Sequence, residues 1–255
     1  MRRIFSLLAA STLVVLLAAA QDGAPDQQNE AKKLFNEGNR LYKAGNYTGA
    51  AEKYKAALAL DQNFAFHYQL GLCFKNSKQY DDAIASLLAS VKLNPGFSGA
   101  HNAIGGVYLT QGEFDRAIES FKSALDLDPN LKPAQKGISE AYAGKCQQLF
   151  DAGRLEQAGG LADEALAQHS DNGKLYLVAA RIYNKQERPD KALDAANDAL
   201  KLKKGRAKGA EYFEIGIAHK KLQEYDKARS AFAEARKDPI YSRNAQYELD
   251  GLKGK

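Results

Sequence analysis

The chain has no tryptophan, one methionine, six prolines and two cysteines in 255 residues. Two cysteines exclude a disulfide-stapled scaffold and any multi-cysteine zinc module. Six prolines and 21 glycines exclude a collagen-like or proline-rich chain. Charge of one sign is also lacking: the net charge is only +5, so no electrostatic function follows from charge alone. There is no H-E-x-x-H, C-x-x-C, G-x-S-x-G, Walker-type or dinucleotide glycine motif. The sequence therefore names no catalytic residue, metal site or cofactor. Aromatic packing falls to 13 tyrosines and 11 phenylalanines, and 45% hydrophobic residues are enough for a folded core.

Only the N-terminus carries a long hydrophobic run. Arg2 and Arg3 precede an apolar stretch from Ile4 to Leu17, followed by Ala18-Ala19-Ala20 and then polar residues from Gln21. This order suits a cleaved signal peptide, residues 1–20. The competing reading is an uncleaved anchor, since Ile4 to Ala20 spans 17 residues, at the short limit of a membrane span. With cleavage the expected location is exported, most simply a bacterial periplasm, with no stable membrane insertion. Residues 21–30 read as a polar linker.

The rest of the chain repeats. Small residues recur at Gly38, Gly71, Gly105, Cys146, Ala180 and Gly216, and alanine at Ala50, Ala83, Ala117, Ala158, Ala192 and Ala228. Successive spacings are 33, 34, 41, 34 and 36 in both columns, which stay 12 residues apart. Large residues stand three places before each alanine (Tyr47, Tyr80, Phe114, Leu155, Pro189, Tyr225). Four before the small column stand Leu34, His67, His101, Tyr142, Tyr176 and Tyr212; three after it stand Leu41, Phe74, Tyr108, Leu149, Tyr183 and His219. Offsets of −4, 0 and +3, and of −3, 0, +4 and +7, each share one helical face. Each unit is two amphipathic helices, and Gly45, Gly112 and Gly153 suit a helix C-terminus that needs positive φ. Sustained alternation is absent, so no strand is expected.

The pattern resembles the tetratricopeptide repeat, best in His67, Leu70, Gly71, Phe74, Ala83 and Pro95, and in His101, Ile104, Gly105, Tyr108, Ala117, Phe121 and Pro129. Units four and five depart, with Cys146 and Ala180 for glycine and Ala162 and Ala196 for the later aromatic. The expected fold is all-α: a right-handed superhelical solenoid of six helix-turn-helix repeats at 31–63, 64–97, 98–131, 139–172, 173–206 and 209–242. Residues 243–255 supply a capping helix and tail. Lys132 to Ile138 precede unit four as an insertion.

In that family a concave wall formed by first helices binds peptides, through residues one, five and eight places after the Leu/aromatic slot. The resemblance places there Phe35, Asn39 and Tyr42; Tyr68, Leu72 and Lys75; Asn102, Gly106 and Leu109; and, further on, Ala143, Gln147, Phe150, Leu177, Arg181, Asn184, Phe213, Ile217 and Lys220. Phe35, Asn39, Tyr42, Tyr68, Leu72, Lys75 and Asn102 are the candidate groove. The competing reading is that Phe35 and Tyr68 only pack against each other or beneath residues 21–30. Consecutive cations for a carboxylate clamp are lacking. The implied function is a non-enzymatic scaffold for a protein or peptide partner, in an envelope assembly. The alternative is an accessory acting on peptidoglycan or glycan, for which Glu140, Asp151 and Glu214 are the candidate carboxylates.

Lys201, Lys203, Lys204, Arg206 and Lys208 crowd five cations into eight residues. They suit contact with an anionic surface, or a solvated loop beside a helix C-terminus. Nucleic acid is a poor partner for an exported chain. His67 and His101 share a column but bring no third ligand for a metal. Cys73 and Cys146 lie two units apart, beyond the ~7 Å Cα reach of a disulfide when packed helices step about 10 Å. Cys146 reads as a small buried stand-in for glycine, while Cys73 is either half-buried or a free thiol.

Overall fold

A computed structural model describes residues 26–205 and 207–255. The segment expected to be a leader, residues 1–20, lies outside the described residues, as do 21–25. Thirteen helices and no strand occur among the described residues. They are α1 (26–43), α2 (Tyr47–Leu60), α3 (Phe64–Asn76), α4 (Tyr80–Leu93), α5 (Ser98–Gln111), α6 (Phe114–Leu127), α7 (Lys132–Asp151), α8 (Leu155–Gln168), α9 (Gly173–Lys185), α10 (Pro189–Leu202), α11 (Gly209–Lys221), α12 (Tyr225–Ala235) and α13 (Ser242–Gly251). The chain forms two compact units, one ending at Val107 and the other beginning at Tyr108.

The polar stretch 26–30 is the first turn and more of α1, a correction to its reading as linker. Its charges lie outward while Ala31 is fully buried, so a polar face did not mean an irregular backbone. Pro133, placed between repeats by its sequence position, lies in the first turn of α7, where its missing N–H would be unbonded anyway. The insertion 132–138 starts that helix, which reaches 20 residues.

Every inter-helix turn within a repeat is built alike. Gly45, Lys78, Gly112, Gly153, Glu187 and Gln223 all have positive φ, from 57° to 79°. They are separated by the same 33, 34, 41, 34 and 36 residues as the sequence columns. The next residue's N–H returns to the carbonyl five places back, in Leu41, Phe74, Tyr108, Leu149, Tyr183 and His219, at 2.8–2.9 Å. These are Schellman closures, which satisfy carbonyls that the helix end leaves open. Only three of the six positions are glycine, so the backbone geometry is stricter than the sequence suggested.

The alanine column is the floor of the helix pairs. All six alanines are fully buried. Glycine in the facing helix makes room for a large ring or branched chain: a Cβ on Gly38 would lie 2.6 Å from Tyr54 Cε1, on Gly71 2.6 Å from Leu87 Cγ, and on Gly216 2.5 Å from Phe232 Cε1. Tyr54, Leu87 and Phe232 each stand 16 residues after their glycine and are fully buried. At the same spacing Cys146 is followed by Ala162 and Ala180 by Ala196. A larger residue on the first helix goes with a smaller one on the second, so the departures of units four and five conserve volume, as dense packing demands.

Candidate protein-binding surface

In the unit ending at Val107, the candidate groove residues sit on α1, α3 and α5, and all are half-buried. They divide by what they touch. Phe35 stacks on Phe66 with centroids 4.6 Å apart and tilts against Tyr54 at 5.4 Å, so its ring belongs to the core. Asn39 accepts the Tyr54 hydroxyl at 2.7 Å, which satisfies an otherwise buried phenol. These two side chains support the wall from behind. Tyr68 does not meet Phe35 either: it lies edge-on to Phe97 at 5.0 Å. Phe97 in turn occupies the space left by Gly99, whose added Cβ would fall 2.8 Å from the Phe97 ring.

The remaining residues are set out across neighbouring helices. Tyr42 on α1 accepts a hydrogen bond from the Asn76 amide on α3 at 2.8 Å. Burial raises the pKa of both Tyr42 and Tyr68, so both phenols remain neutral donors or acceptors at physiological pH. Lys75 lays its amine over α5, where a Cβ on Gly106 would sit 3.1 Å from Nζ. Leu72 and Asn102 complete the set on α3 and α5. Tyr42, Tyr68, Leu72, Lys75 and Asn102 therefore combine apolar area, one cation and polar groups whose rotamers are held by Asn76 and Phe97. Neither of those supports was legible from periodicity: Asn76 falls one place beyond a groove position, and Phe97 lies in a connection between repeats.

In the unit beginning at Tyr108, three of the equivalent positions, Arg181, Asn184 and Lys220, are engaged. Arg181 donates to the Tyr241 hydroxyl at 2.8 Å and lies 3.5 Å from a Glu214 carboxylate oxygen. Asn184 donates to the other Glu214 oxygen at 2.8 Å. Lys220 pairs with Glu248 at 2.6 Å. Glu214 is buried rather than presented on a wall, which corrects its reading as an accessible acid. Burial raises its pKa, against the opposing pull of Asn184 and Arg181. Glu140 pairs with Lys136 at 3.7 Å and Asp151 accepts from Gln147 at 2.7 Å. Each of the three carboxylates thus has a partner of its own.

The basic segment is partly spent within the fold. Lys201 pairs with Asp198 at 2.8 Å, and Lys203 reaches the buried Glu211 at 2.9 Å. Arg206 lies outside the described residues, and Lys208 precedes α11. Both thiols are free and buried; burial raises Cys73 to about 11 and Cys146 to about 12, so neither is a thiolate at neutral pH. His67 lies 3.1 Å from the Gln62 side chain, and burial lowers its pKa. Among the described residues no cluster of three or more His, Cys, Asp or Glu could hold a metal ion. Nor is any described helix long and apolar enough to cross a membrane.

Two known structures share this architecture at a TM-score above 0.5. A MamA double mutant (RS-1 ArsTM) is 18% identical, with 68% of this chain and 94% of that one covered at a TM-score of 0.54. YrrB is 13% identical, with 77% and 97% covered and the same TM-score of 0.54. The P58(IPK) TPR domain is 22% identical at a TM-score of 0.42; the match covers 88% of this chain but only 64% of that one. No curated protein matches the chain. A tetratricopeptide-repeat model matches residues 35–96, 74–131 and 147–207, more than half of the sequence. With its recurrent helix-turn-helix units, the chain belongs to the tetratricopeptide-repeat family.

Proposed function

We propose that this chain is a non-enzymatic scaffold that seats a peptide segment of a partner protein on Tyr42, Tyr68, Leu72, Lys75 and Asn102. The supporting observation is pre-organisation: Asn76 and Phe97 hold the two tyrosines, and Phe35 and Asn39 brace the wall from the core. A surface whose rotamers are already fixed loses less entropy on binding. YrrB is described as having an unusual peptide-binding site, which makes a peptide the natural first ligand to test. Tyr68 and Leu72 offer apolar contact, Lys75 a partner for one acidic group, and Asn102 a partner for peptide backbone. We place the protein outside the cytoplasm of a bacterium, in an envelope assembly, on the strength of Arg2-Arg3, the apolar run and Ala18-x-Ala20.

Selection of displayed random peptides on the purified chain, followed by titration of the enriched sequences, tests the site. Tyr68→Ala is expected to weaken them by about 1–3 kcal/mol, as for an aromatic hot spot, with helicity retained. Unchanged affinity in a folded Tyr42/Tyr68/Leu72 triple-alanine variant would assign binding elsewhere. N-terminal sequencing of protein from the native host tests export separately: the expected first residue is Gln21.

A further inference from the structure

The segment that follows α12 packs chiefly on α12 and also reaches side chains of α9 and α11. Four positions there, equivalent to groove residues, are taken. Tyr241 accepts from Arg181, and its ring lies 5.7 Å from that of Phe213. Glu248 pairs with Lys220 at 2.6 Å. Ile217 packs, with Phe213, against the small core that contains Ala245 and Leu252. Arg229 on α12 donates to the carbonyls of Leu252 and Lys255 at 3.4 and 3.1 Å, and Arg236, just after α12, donates to the Gln246 side chain at 2.7 Å, but the segment buries little else. Within α13 only Ala245 is buried, Leu252 follows it, and Ile240 and Tyr247 are 82% and 77% exposed. A ten-residue helix has little stability by itself, so once detached it unwinds and returns only by re-docking.

We propose that this face is a second docking surface, closed by the chain's own segment 239–252 acting as a built-in ligand. The partner that opens it is an amphipathic helical segment of the same chemistry: a tyrosine ahead of the helix for Arg181, a carboxylate seven residues on for Lys220, a small apolar anchor between them and a larger one beyond. Charge complementarity sets the choice at Lys220, which the segment answers with the Glu248 carboxylate, while Arg181, already beside Glu214, adds a hydrogen bond to the Tyr241 hydroxyl. The tethered segment has an effective concentration in the millimolar range, so a free competitor binds weakly until the cap is loosened. Local opening of this short helix is the step that admits it. The proposal uses none of the residues proposed to seat a peptide around Tyr68, so the two readings fail independently.

The probe is a fluorescein-labelled peptide of residues 239–255, titrated into the full chain. Ala245→Asp places a charge in the buried anchor and is expected to bind the peptide at least tenfold more tightly than the unaltered chain. Lys220→Glu added to that variant is expected to lose at least tenfold, while Tyr68→Ala leaves the titration unchanged. Equal binding by the unaltered chain and Ala245→Asp, or indifference to Lys220→Glu, would overturn the proposal. Should Ala245→Asp unfold, hydrogen exchange on the unaltered chain decides. Amides of 243–252 are expected to exchange at least tenfold faster than those of α11, and equal protection would make α13 an integral part of the fold and overturn the proposal.

Discussion

Replacing Ser90 by alanine is expected to stabilise the protein. Ser90 is fully buried on α4, and its hydroxyl has no hydrogen-bond partner. The equivalent residue in every other repeat is alanine: Ala57, Ala124, Ala165, Ala199 and Ala235. Burying an uncompensated hydroxyl costs about 1–3 kcal/mol in mutational terms. Alanine also has the better helix propensity, by up to roughly 0.5 kcal/mol. Against this stands the small void left by one oxygen atom, so the net gain is about 1–2 kcal/mol. For a unit of this size about 1 kcal/mol moves the unfolding midpoint by roughly 4–8 °C. Ser139 on α7 is the internal control. It is equally buried, but its hydroxyl donates to the Gln135 carbonyl at 2.9 Å. Ser139→Ala gains the same propensity and loses a satisfied bond, so it is expected to be neutral or destabilising by up to ~1 kcal/mol. Denaturant unfolding of the two variants, read with local hydrogen exchange, separates them. Loss of stability in Ser90→Ala, or equal shifts in both, would refute the reasoning.

Three further outcomes follow from the packing and the turns. Lys78→Gly, Glu187→Gly and Gln223→Gly are each expected to stabilise by about 0.5–1 kcal/mol, because a side chain at positive φ costs ~1–2 kcal/mol and glycine's extra entropy returns part of it; Gly112→Ala is expected to destabilise by about 1 kcal/mol in the same denaturation assay. Gly216→Ala drives a methyl into Phe232 and is expected to cost about 1–3 kcal/mol, whereas Phe232→Ala is expected to cost at least ~1 kcal/mol less in the Gly216→Ala background, a coupling read from a double-mutant cycle. Glu214 has a folded-state pKa above its unfolded value, so its contribution is fully present below the unfolded value and lost as pH rises through the folded one; Glu214→Gln is expected to flatten the fall in stability above pH 4.5, measured by urea unfolding at stepped pH.

The repeat was legible because helix pairing constrains size at fixed intervals. Ala50 and its five counterparts are all fully buried, where dense packing penalises a larger side chain, so the column holds alanine in every unit. The residue that closes each turn was legible only where it is glycine: Lys78, Glu187 and Gln223 adopt the same backbone, but their identities carry no mark of it. The paired changes at Cys146/Ala162 and Ala180/Ala196 were visible as departures, and their meaning required knowing which residues face one another. At the candidate surface, family resemblance located the helix face but not the direction of each ring. Phe35 lies at a groove position and still turns into the core, because Phe66 and Tyr54 offer it a stacked site. Glu214 reads as a charged surface residue until Asn184 and Arg181, 30 and 33 positions earlier, are brought against it. Long-range contacts of this kind leave no periodic trace.

Site-specific photocrosslinking in the native host tests the central claim, that the wall carrying Tyr68 seats a partner. A benzophenone amino acid replaces Tyr68 in one variant and Asp81, exposed on α4, in another. The expected result is a discrete adduct from position 68 that is absent at 81 and is lost when Leu72→Ala and Lys75→Ala are added. Adducts of equal yield at both positions, or none at 68 in a folded and correctly located protein, would contradict the claim.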